Sequence, residues 1–342
     1  MNKNTDPSPQ KSDTNDAKLS WRRRRAERKA QGATSSRLRQ VIGRMVRVVI
    51  AVLATGVALF LAGIGFLYYQ GKRRPTGNSQ YVALGSSFAA GPGVGQRVPN
   101  SPTLCMRSAQ NYAHLLAKAR GLNLTDVTCS GATTHNILEG GQFFQPPQVD
   151  ALRPNTELVT VTVGGNDVSY LGNLLAWSCQ QDPDRMPFVG RLLARTATPE
   201  AEVDRELAML PDRLAWIATE VGRRSPRAIL VFVDYTTVLP DVGSCPNRLP
   251  ITEQQLQHSR YVAKKLADIT AAVARDCGAL LVRASDVTRG HDICSADPWV
   301  FGFDFAATPF NYGPMAYHPT EKAMRAVAEA INEVLPPLST VR

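Results

Sequence analysis

The sequence predicts an α/β fold of three layers, a parallel sheet with helices on both faces, preceded by one membrane-spanning helix. Three observations predict it. Five short apolar runs rich in β-branched residues lie at 81–84, 124–128, 158–163, 228–233 and 280–284, and none sits in a hairpin. Helical periodicity fills 108–120, 201–224, 253–276 and 320–335, which separates most of these runs. Strands of this kind alternating with amphipathic helices bury both faces of a parallel sheet. Third, residues 48–69 form an apolar stretch of 22 residues without a charge.

That stretch comes first along the chain. At about 1.5 Å per residue it spans roughly 33 Å, the thickness of a bilayer's hydrocarbon. Tyr68 and Tyr69 stand where an interfacial aromatic belt would lie. The 342-residue chain carries 39 Lys and Arg against 29 Asp and Glu, a net charge of +10, but the excess is local. Thirteen of the bases and only four of the acids precede residue 48, and Lys72, Arg73 and Arg74 follow the run. The remaining 268 residues hold 23 bases against 25 acids, so the charge gives no support to nucleic-acid binding. Its concentration before the span predicts a cytoplasmic N-terminus and an extracytoplasmic body. Residues 1–47 read as a basic, disordered cytoplasmic tail, 48–70 as an uncleaved signal anchor, 71–79 as a linker and 80–338 as the folded domain. All six cysteines lie beyond the span, an even set that fits disulfides on the exported side. No Cys or His spacing fits a metal site.

In a parallel sheet the ligand lies beyond the carboxyl ends of the strands. Segments that follow the runs are therefore the place to look for chemistry. Ser87 follows Gly85 and Ser86 after the first run; Gly131 follows Cys129 and Ser130 after the second; Asn166 follows Gly164 and Gly165 after the third. A serine at a strand-to-helix turn, a bare backbone N–H and a side-chain amide are the parts of an acyl-transfer site. The base must be one of five histidines. His114 and His258 fall inside helical segments, His135 and His291 lie in loops, and His318 stands before Pro319 and Thr320 at the start of the last helix.

The four blocks, in this order, resemble the SGNH hydrolase superfamily of GDSL-type lipases and esterases, most closely its secreted actinobacterial branch. The resemblance runs from Tyr81 to about Leu335. It implies a five-stranded sheet in the order 2-1-3-4-5, Ser87 as nucleophile, His318 as general base, and an oxyanion hole made by Ser87 N–H, Gly131 N–H and Asn166. Two positions depart from the family pattern. Ser86 stands where the family usually has Asp, and Met315 stands where an Asp usually orients the histidine. The expected substitute is a backbone carbonyl, that of Met315 or Ala316, ahead of a remote carboxylate such as Asp297 or Asp304. In the implied strand order Cys105 pairs with Cys129 and Cys245 with Cys294, while Cys179 and Cys277 are left over.

The expected function is a membrane-anchored serine esterase or lipase, acting on an ester or lipid substrate as a monomer without metal or cofactor. A deacetylase or acyltransferase on envelope glycans or glycolipids is the alternative, and a non-catalytic envelope-binding module is a third reading. Phe143, Phe144 and the aromatic stretch 297–305 are candidate walls of an acyl pocket or ordinary core.

Overall fold

The computed structural model describes residues 13–73, 79–185, 197–303 and 316–337. Its chain divides into two compact units, 1–66 and Leu67–Arg342. The first consists of most of helix α1 (Asp13–Lys72), within which Arg39–Lys72 is long and apolar enough to cross a membrane. This helix begins well before the expected span. Residues 19–32, expected to be disordered, are dominated by Arg, Ala, Lys and Gln, which lose little entropy in a helix.

The second unit carries the sheet. Strands β1 (Tyr81–Gly85), β2 (Leu124–Asp126), β3 (Leu158–Thr162), β4 (Ile229–Val233) and β5 (Leu280–Val282) are all parallel and ordered β2-β1-β3-β4-β5. The expected three-layer α/β class and strand order are those observed. Side chains alternate across the sheet with period two. Val82, Leu84, Val159, Val161 and Phe232 enter one core, while Tyr81, Ala83, Leu158, Val231 and Val233 enter the other. The polar residues in β3 are paired: Thr160 hydrogen-bonds the Tyr81 hydroxyl at 2.8 Å and Thr162 the Tyr112 hydroxyl at 2.9 Å. An apolar sheet face thus takes threonines without leaving buried hydroxyls unsatisfied.

Helices α5 (Tyr170–Gln181), α6 (Glu200–Arg224) and α7 (Glu253–Asp276) supply the first core. In α6 the buried residues Val203, Leu207, Leu210, Leu214, Ile217 and Val221 recur at alternating spacings of four and three, one stripe of a helix. Thr252 and Gln255 form a capping box that fixes the start of α7. Helices α3 (Tyr112–Arg120) and α9 (Glu321–Val334) cover the second core through Tyr112, Leu116, Met324, Val327 and Ile331. Three short helices start directly after strands or blocks: α2 (Ser87–Ala90), α4 (Thr134–Leu138) and α8 (Ala284–Val287).

Disulfides join Cys105 to Cys129 and Cys245 to Cys294, the two expected pairs. Cys179, buried in α5, and Cys277, exposed at the end of α7, are not joined to each other.

Asp234 follows β4 and is buried; Ser285 donates to it from both its N–H, at 2.9 Å, and its hydroxyl, at 2.7 Å. Burial outweighs those bonds and pushes the carboxyl up to about 6 from 3.8. The folded protein therefore holds a proton that the unfolded chain has released, and its stability falls as pH rises through this window. Denaturant unfolding of the wild type should lose up to about 3 kcal/mol between roughly pH 4 and pH 6, a component that Asp234→Asn removes.

Candidate active site

The site forms at the carboxyl ends of β1 and β3, where their loops leave side by side. Pairing of these strands runs from Tyr81 opposite Leu158 to Gly85 opposite Thr162, and Ser86 N–H extends it by donating to Thr162 O at 2.9 Å. The chain then turns at once into α2, with Ser87 as its first residue. Sequence reasoning missed one element that fixes this turn. Gln148 accepts from Gly85 N–H at 2.8 Å and donates to Gly85 O at 3.1 Å, a two-way clamp on the last residue of β1.

His318 reaches Ser87 from the loop before α9. Its Nε2 lies 2.8 Å from Ser87 Oγ and its Nδ1 lies 2.9 Å from the carbonyl oxygen of Ala316. A carbonyl can only accept, so Nδ1 carries the proton and Nε2 presents a lone pair to the serine hydroxyl. Both residues are buried, and the ring of Phe88 lies 5.5 Å from the imidazole. Of the two carbonyls expected to orient the histidine, that of Ala316 is in contact, while Met315 and Asp304 lie outside the described residues. Asp297 is occupied elsewhere: Lys322 Nζ is 2.6 Å from its carboxylate and Trp299 Nε1 is 3.1 Å away. Tyr317, between Ala316 and His318, adopts a positive φ of 66° while fully buried. That left-handed kink lets the His318 ring turn back onto a carbonyl only two residues upstream.

Asn166 and Gly131 line the same cavity as Ser87 and His318. The Asn166 amide donates to Ala132 O at 2.8 Å, which fixes the plane of the amide and leaves its second hydrogen for another acceptor. Its neighbour Asp167 ties the second block to the third by accepting from Thr134 N–H at 3.1 Å and from the Thr134 hydroxyl. Arg213 stands 3.5 Å from the same carboxylate. Burial nonetheless raises the Asp167 pKa above the ordinary carboxylate value.

Tyr235, just after β4, is the second residue that sequence reasoning missed. Its hydroxyl accepts from Gly165 N–H at 2.7 Å and lies 3.3 Å from Ser86 Oγ, so one phenol braces the Ser86–Ser87 turn against the Asn166 turn. Burial pushes this phenol up to about 12, and it stays a neutral donor and acceptor. The contact requires glycine at 165, because a Cβ there would fall 2.7 Å from the ring of Tyr235. The only advance signal was position: Tyr235 lies within a strand-end segment. Ser86, the departure from the family's Asp, is held by this phenol and by Thr162 O at 3.4 Å.

The cavity holds about 700 Å³ and is walled by Phe88, Leu104, Met106, Phe143, Leu171 and Leu175. Phe143 therefore lines it, as one expectation had it. Phe144 does not; it packs edge-on against Tyr68. The stretch 297–303 also lies apart from the wall: Trp299 stacks on His291 and Phe303 is buried against Tyr317 in the core. The other histidines stand away from Ser87, with His114 beside Asp126, His135 beside Glu139, and His258 between Trp177 and Tyr261.

Comparison with known proteins agrees with this architecture. The GDSL-like lipase/acylhydrolase family matches residues 83–326. Lipase 2 of Streptomyces coelicolor is 31% identical over 305 residues, covering 84% of this chain and 97% of that protein. Among solved structures, an extracellular lipase of Streptomyces rimosus superposes with a TM-score of 0.61 at 24% identity, over 75% of this chain and 100% of its own. A phospholipase A1 of Streptomyces albidoflavus gives 0.59 at 25% identity, over 75% and 99%.

The Tyr235 brace has a measurable cost of removal. Tyr235→Phe leaves the buried Gly165 N–H without its acceptor and should destabilise the protein by about 1–3 kcal/mol in urea unfolding. Ser86→Ala, which leaves that bond in place, should cost less.

Proposed function

The chain belongs to the GDSL-like lipase/acylhydrolase family and is an ester hydrolase of the lipase and esterase type, and from that premise we propose that it works through a Ser87–His318 acyl-enzyme mechanism outside the cytoplasm. One observation carries the mechanism: His318 Nε2, with its proton fixed on the far nitrogen by Ala316, lies 2.8 Å from Ser87 Oγ. His318 takes the Ser87 proton as the oxygen attacks the ester carbonyl. Ser87 N–H, Gly131 N–H and the second Asn166 amide hydrogen hold the oxyanion. When the tetrahedral intermediate collapses, the acyl–alcohol bond breaks and His318 gives its proton to the departing alcohol. Water, deprotonated by His318, then cleaves the acyl-serine and releases the acid. A carbonyl acceptor stabilises the transient imidazolium less than a carboxylate would, so turnover should be modest.

Apolar walls around Ser87 favour an acyl chain over a glycan acetyl group as the bound half of the ester. The Streptomyces albidoflavus neighbour is a phospholipase A1, an activity of that kind. For location, 48–70 serves as a single span with its basic flank in the cytoplasm. Two disulfides in the body fit the oxidising side.

Asn166→Ala should lower kcat on a short acyl ester by about two to three orders of magnitude. Ser87→Ala should abolish both turnover and covalent labelling by a fluorophosphonate. Wild-type rates in either variant would overturn the mechanism, and a body protected from protease added outside intact cells would overturn the topology.

A further inference from the structure

The end of α1 contacts two residues, Thr103 and Phe143, that line the catalytic pocket. Residues 67–73 belong to the same compact unit as the hydrolase body. Within it the last turn of α1 is seated on the two loops that form the pocket mouth. Gln70 accepts from Thr103 N–H at 2.9 Å and donates to the Thr103 hydroxyl at 3.2 Å. Tyr68 meets Phe144 edge-on, with ring centroids 5.6 Å apart. Gly71 is buried so closely on the second loop that a Cβ would fall 2.2 Å from the carbonyl oxygen of Phe143. Thr103 and Phe143 themselves line the cavity around Ser87.

Those loops present apolar side chains outward. Leu104, Phe143 and Phe144 are 38%, 36% and 42% exposed. Both phenylalanines hold positive φ, 49° and 63°, a conformation that an unconstrained loop would avoid. Beside them lies the chemistry of a membrane interface: Lys72 stands over the ring of Tyr68 and Arg73 over that of Tyr69, with both tyrosines exposed. The uncharged run ends at Gly71, the residue that touches Phe143. The residues that close the uncharged run therefore contact the loops of the pocket mouth.

We propose that this exposed rim docks on the headgroup and upper acyl region of the bilayer that α1 spans, so that the enzyme's substrates are acyl esters of membrane-resident amphiphiles. Such an ester passes from the leaflet along Leu104, Met106 and Phe143 to Ser87 without crossing water. The proposal rests on the Ser87–His318 hydrolase and the single span proposed above. It adds the route of entry and the substrate class.

The test uses the full chain reconstituted in phosphatidylcholine vesicles, with two substrates: a fluorogenic long-chain ester embedded in the same vesicles and a water-soluble acetyl ester. Two variants unseat the helix end, Gly71→Leu and the double substitution Tyr68→Ala with Gln70→Ala; the second keeps the test open if the first does not fold. The double variant should hydrolyse the soluble ester at the wild-type rate and the embedded ester about tenfold more slowly, because the chain stays tethered but its pocket mouth is no longer held towards the bilayer. Equal loss on both substrates, or loss on neither, overturns the proposal. A wild type that hydrolyses neither ester and takes no fluorophosphonate overturns the hydrolase reading and the proposal with it. A wild type removed from the vesicles by alkaline wash overturns the span instead.

Discussion

Parallel pairing of β1 with β3 is the constraint on which the rest of this site depends. Five residues of each strand run in register and end together at Gly85 and Thr162. Because both strands point the same way, the serine turn and the glycine-rich turn with Asn166 must emerge on the same edge. Both strands are buried on both faces, and a shift of register would move each side chain into the opposite core. The clamp from Gln148 and the bond from Ser86 N–H to Thr162 O carry that register past the end of the ladder. Ser87 is thereby held by the most tightly determined part of the fold.

Around that fixed edge the protein replaces two carboxylates with neutral groups. Where a relative would place an acid before the nucleophile, Ser86 and the Tyr235 phenol share the bonds, and the phenol also reaches Gly165. Where a relative would orient its histidine with an acid, Ala316 offers a carbonyl. A neutral acceptor fixes the tautomer as well as a charged one does, because only the direction of the N–H matters. What it gives up is attraction for the imidazolium.

The last turn of α1 also enters this arrangement. It fills the gap between the Thr103 loop and the Phe143 loop, so the elements that shape the pocket mouth are braced by the residues that leave the apolar run.

Much of this was legible in the chain. Short apolar, β-branched runs between helical segments predicted the sheet, and helical periodicity placed α6, α7 and α9 to within a residue or so, because burial on a stripe is written in local spacing. Helix α5 was not foreseen: Gly172 interrupts it, and the buried polar residues Asn173 and Ser178 blur its apolar stripe, although Leu171 and Leu175 wall the pocket. The residue types of acyl transfer at strand ends, the span and the two disulfide pairs also followed from sequence, since each depends on near neighbours or on strand order. The resemblance implied that Ser87 meets His318, 231 positions away, but tertiary structure alone decided that Tyr235 reaches Ser86 across 149, that Gln148 clamps Gly85 and that Gln70 closes on Thr103. Hydrogen bonds are directional and short-ranged, so which distant partner satisfies a given group is settled only when packing brings the two within about 3 Å.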